Sequence, residues 1–141
     1  MRNTCFFLFL FIYLSSCQPD PVNPPNTGPL RDTTLFNVPY GSDPAQKLDL
    51  GLPANRTNNS ALVLVIHGGG WATGDKAELN WLLNGLKARG FAVANINYRL
   101  TLNTPDNYKM QLDDVDSALN YTLRQSSIQT FNGQKLYLVG H

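Results

Sequence analysis

Apolar residues are set along this chain in three different ways. From Leu62 to Ile66 five of them follow one another without a polar break. Such a run reads as a strand buried on both faces, the kind that lies inside a parallel sheet under helices. Residues 33–38 and 47–52 alternate instead, as half-exposed strands do, and Gly41, Ser42 and Asp43 between two prolines supply the turn that joins them. Leu79, Leu82, Leu83 and Leu86 recur at helical spacing, and Gly90 follows as a stop. Residues 91–97 form the next strand. Strand, helix and strand then imply a right-handed parallel crossover. Thr104-Pro105 opens a second helix, with Leu112, Val115, Leu119 and Leu123 on its inner face. Residues 131–134 turn the chain, and residues 135–139 give a third parallel strand. The expected class is α/β: two leading antiparallel-type strands, then parallel β-α-β-α-β.

The chemistry sits where the central apolar run ends. Gly68, Gly69 and Gly70 follow it directly, which removes every Cβ from the loop and lets main-chain N–H groups approach a bound atom closely. Downstream, Asp75 is placed as a helix N-cap with Glu78 three residues later, a capping-box-like start. The glycines therefore lie between a strand end and a helix start.

His67-Gly68-Gly69-Gly70-Trp71 in this setting resembles the oxyanion-hole motif of α/β-hydrolase esterases and lipases. The likeness continues in Leu48-Asp49-Leu50-Gly51-Leu52-Pro53 against the family's second strand, with Gly51 where an aromatic is more usual. It continues again in Tyr98-Arg99-Leu100 after the fourth strand and in Asp114-Val115 with Ala118 in the following helix. The resemblance implies the N-terminal half of an α/β-hydrolase sheet. It assigns Gly69, Gly70 and Trp71 to the oxyanion hole, with His67, Gly68, Arg99 and Asp114 supporting the loop. Arg99 is expected to pair with Asp113 or Asp114. Gly140-His141 would open the Gly-x-Ser-x-Gly nucleophile elbow, which puts the catalytic serine immediately after His141 and the acid and base later still. Ser15, Ser16, Ser42 and Ser117 are poorly placed to substitute, so these 141 residues alone should be inactive. The implied activity is that of a serine hydrolase cleaving carboxylic esters, small or glycan-linked, including acyl groups on polysaccharides. A prolyl-oligopeptidase-like peptidase and a non-catalytic lipid-anchored binding protein are the alternatives.

Composition narrows this further. Eleven basic and ten acidic residues leave a formal charge of +1 without a basic patch, which gives nucleic acid nothing to bind. Asp113, Asp114 and Asp116 read as the solvated side of an amphipathic helix, so no metal is expected; nor is any cofactor. Residues 1–16 combine Arg2 with a ten-residue apolar core, too short to span a bilayer and suited to a signal peptide. Leu14-Ser15-Ser16-Cys17 resembles the bacterial lipoprotein box, which implies lipidation of Cys17 and an exported, membrane-anchored protein of the bacterial cell envelope. Residues 17–32 carry five of the nine prolines and read as a tether, leaving residues 33–141 as the partial hydrolase domain.

Overall fold

In the computed structural model the described residues are 29–101 and 108–140. The signal segment, Cys17, most of the tether, the helix start at Thr104-Pro105, and His141 lie outside them. The apolar run is the middle strand of the parallel part of the sheet. As β3 (Ala61–Ile66) it pairs in parallel with β4 (Ala92–Ile96) on one side and with β5 (Asn132–Gly140) on the other. β1 (Thr33–Pro39) and β2 (Lys47–Leu52) form an antiparallel hairpin, and β2 continues antiparallel onto β4. The resulting order is β1-β2-β4-β3-β5, which agrees with the α/β arrangement expected from the sequence.

Helices cover both faces. α1 (Asn80–Lys87) packs Leu83, with Leu79, Leu82 and Leu86, on Val63, Val65 and Val93. α2 (Tyr108–Gln129) places Ala118, Val115, Leu119 and Leu123 against Leu62, Leu64, Ala94 and Ile96 on the other face. Adjacent β3 residues thus serve different cores, which is why that strand tolerates no polar position.

Several expectations from patterning are corrected here. β2 is buried along nearly its whole length, not half-exposed, because both its edges are paired, Leu83 and Lys87 lie over Gly51, and Asp49 is sealed against Lys76. Asp75 caps a four-residue 3-10 helix (Lys76–Leu79) that precedes α1. Its Oδ1 accepts from the Ala77 amide at 2.7 Å. Residues 132–134 belong to β5 and not to a turn; a register shift between Ala61 and Leu62 absorbs the extra length. In α2 the inner stripe is Gln111, Asp114, Ala118 and Thr122, while Leu112 is 51% exposed. Asp114 therefore leaves the solvated side assigned to it and is fully buried, whereas Asp113 and Asp116 stay exposed. A charge can replace leucine inside because its partners are built in, as the site shows.

Candidate functional site

The glycine loop leaves β3 at its C-terminal end and folds back on itself. Gly69 takes φ +114°, and its carbonyl accepts from the amides of Ala72 and Thr73, both at 3.1 Å, and from Thr73 Oγ1 at 3.1 Å. Gly70 follows at φ +59° and Trp71 at φ +67°. With the turn closed through the Gly69 carbonyl, the amides of Gly69, Gly70 and Trp71 make no hydrogen bond among the described residues. In front of the loop lies a hollow of about 390 Å³ whose walls include Gly68, Gly70, Trp71, His67, Tyr98 and Gly140. Gly69 shapes the turn without lining that space. Gly140 reaches it because β5 runs beside β3 with Gly140 opposite Ile66.

Two rings hold the strand end. The His67 and Tyr98 rings stack at 4.4 Å and 12°, and Tyr98 Oη donates to the His67 carbonyl at 2.8 Å. Burial raises the Tyr98 pKa, which keeps that donor protonated. His67 Nδ1 lies 2.7 Å from the Gly68 carbonyl, which can only accept, so the proton is on Nδ1. Nε2 is buried and unpartnered among the described residues. Gly74, at φ +101°, allows the ring this position, since a Cβ there would lie 2.6 Å from His67 Nδ1.

The loop after β4 is fixed by Arg99. Of the two acids the sequence offered, Asp114 is its partner. Arg99 Nη2 and Nε reach Oδ1 and Oδ2 at 2.5 and 2.9 Å, and the Arg99 amide donates to Oδ2 at 2.9 Å. Gln46 Nε2 adds a fourth donor at 2.6 Å. Asp113 instead holds Lys109 on the surface, at 2.9 Å. Burial alone would raise the Asp114 pKa, but hydrogen bonds from Arg99 and Gln46 outweigh it, and the carboxyl titrates below its ordinary value. A depressed carboxyl contributes stability above its unfolded pKa of about 4 and loses it as pH falls through the lower folded value. Asp114→Asn is therefore expected to cost about 1.5–3 kcal/mol at pH 7 and to flatten the acid limb of a denaturation series below about pH 4. An unchanged acid limb would show that this carboxyl is not the group responsible.

Other residues that shape the site were not read from the sequence. Gln111 Nε2 and Thr101 both hold the Trp71 carbonyl. Lys76, buried, ion-pairs with Asp49 at 2.8 Å directly behind the loop, and Asn97 and Asn95 hold its main chain at 2.6 and 2.7 Å. The only local sign of any of them is a polar residue on an otherwise inward stripe.

A parallel core flanked by an antiparallel hairpin, with a glycine turn at the C-terminal end of its central strand, defines the N-terminal half of an α/β-hydrolase. Residues 48–141 match the BD-FAE family, and the chain belongs to it. It is 32% identical over 111 residues to kynurenine formamidase of Danio rerio, covering 77% of this chain and 35% of that protein. Against isoprenylcysteine alpha-carbonyl methylesterase of Arabidopsis thaliana it is 30% identical over 107 residues, covering 74% and 24%. Among solved structures, esterase B of Lactobacillus rhamnosis superposes with a TM-score of 0.68 at 29% identity, over 77% of this chain and 35% of that one. The chain spans about a third of the length of the first two curated relatives it matches.

Proposed function

We propose that the full-length protein is a serine esterase that cleaves carboxylic esters, with small-molecule or glycan-linked acyl groups as substrates. The observation that carries this reading is the set of unbonded amides at Gly70 and Trp71 beside the hollow. Preorganised donors of this kind stabilise the oxyanion that forms when an ester carbonyl is attacked, at about 3–4 kcal/mol per donor. Gly69 sets the turn that leaves those two amides open among the described residues. The nucleophile would be the serine after Gly140-His141, since Gly140 lines the same hollow as the donors. It would attack the carbonyl carbon, a histidine would take its proton and later deliver it to the leaving alcohol, and a carboxylate would orient that histidine. His67 is not that base, because its Nδ1 is committed to Gly68 and it is buried within the loop's support. Arg99 and Asp114 would hold the neighbouring loop in place. Similarity to a methylesterase and to esterase B supports ester cleavage in general. Lipidation at Cys17, with anchoring in the bacterial envelope, belongs to the same proposal and rests on the residues before Cys17.

The test is hydrolysis of p-nitrophenyl butyrate by the full-length protein. Turnover is expected, together with irreversible loss on treatment with a fluorophosphonate and a mass increment on the peptide that begins after Gly140. Turnover without modification of that peptide would refute the assigned nucleophile.

A further inference from the structure

Gln111 is fully buried on the inner stripe of α2, and its two amide atoms fare differently. Nε2 donates to the Trp71 carbonyl at 3.2 Å, whereas Oε1 is buried with no partner among the described residues. An unpaired buried acceptor is unfavourable, and an apolar side chain of the same length would carry no such cost. What the amide contributes at this position is therefore its donor. The carbonyl it holds belongs to the residue in greatest backbone strain at the site. Trp71 sits at φ +67°, a conformation that a bulky side chain keeps only when its surroundings impose it.

Those surroundings are three donors converging on one oxygen: the Thr101 amide at 2.9 Å, Thr101 Oγ1 at 3.4 Å and Gln111 Nε2. On the other side the Trp71 ring, 41% exposed, leans on Tyr98 with centroids 5.5 Å apart. Fixing the carbonyl and the ring of one residue fixes its Cα frame, and the left-handed φ of Trp71 then sets the direction of its own N–H. We propose that Gln111 is a positioning residue: from α2 it holds Trp71 in the left-handed conformation that keeps the ring in the wall of the hollow and leaves the amide open. The catalytic half of this proposal rests on the esterase reading above.

The experiment uses the full-length protein labelled with 5-fluorotryptophan, the Trp71 line being assigned by its loss in Trp71→Phe. In Gln111→Met the Trp71 fluorine line is expected to shift or split, while the thermal midpoint stays near that of the parent. In the same variant kcat for p-nitrophenyl butyrate is expected to fall about 10- to 100-fold with KM unchanged, as misplacement of a group near the reacting atoms does. Gln111→Leu serves as the second variant if the methionine form does not fold. An unmoved Trp71 line overturns the positioning role whatever the activity. A moved line with unchanged kcat, or with no ester hydrolysis by the parent, upholds the hold on Trp71 and overturns the oxyanion reading beneath it.

Discussion

Replacing Lys76 by methionine is expected to destabilise the domain by about 3–5 kcal/mol, the usual cost of leaving one member of a buried ion pair without its partner. Asp49 is 2% exposed, and the charge facing it is the Lys76 ammonium at 2.8 Å. The Asn37 amide also reaches Asp49, at 2.8 Å, but a neutral donor does not offset a buried carboxylate. Adding Asp49→Leu to Lys76→Met removes the stranded charge and should restore most of the loss. Asn37 is exposed, so its freed amide can turn to water. The contrast is Lys109 with Asp113, a pair four residues apart on the surface of α2, whose removal should change stability by about 0.5 kcal/mol or less. Urea denaturation of the full-length parent, the single variants and the double variant measures all three. A small effect of Lys76→Met alone would mean that the pair is not what holds the 3-10 segment behind the glycine loop.

That pair also marks the boundary of what could be read from the sequence. β3 was legible because an unbroken apolar run has a direct physical meaning, and the glycine loop because three residues without Cβ after such a strand let main-chain amides approach a bound atom. The crossover followed from helical spacing between two strands. Burial of polar residues was not legible, since it depends on partners distant in the chain. Lys76 meets Asp49 across 27 residues, and Gln46 meets Asp114 across 68. The α2 stripe departs from its leucine spacing for the same reason. Leucines at helical spacing suggested an inner face including Leu112, but the donors of Arg99 and Gln46 made it favourable for Asp114 to turn inward, which rotates Leu112 outward. Arg99 could be given two candidate partners from sequence. Only the direction of the helix face chose between them.

The site divides in the same way. That Gly70 and Trp71 would border a hollow followed from the motif, but the distinct task of Gly69 did not. Its backbone closes the turn, and it does not line the space. Nor could spacing reveal that His67 is stacked under Tyr98 with Nδ1 committed to the next carbonyl. These are consequences of where the chain after β4 returns to the loop.

The central claim is that open main-chain amides at the end of β3 stabilise a transient anion, and Gly69→Ala strikes at it directly. An alanine Cβ at this position would lie 2.1 Å from the Thr73 carbonyl oxygen, at a φ of +114° that side chains rarely adopt. The turn that keeps the amides free must therefore open. A Cβ on Gly70 would meet nothing within 4 Å, so Gly70→Ala carries only the strain of its left-handed backbone and should be milder. For Gly69→Ala in the full-length protein, kcat/KM for p-nitrophenyl butyrate should fall about 10²- to 10³-fold, the loss seen when an oxyanion donor is removed. The decisive measurement is the inhibition constant of butylboronic acid, whose tetrahedral adduct carries the anion that the amides would meet. It should weaken in step with kcat/KM while KM holds. Undiminished binding of the boronic acid by Gly69→Ala would contradict the account.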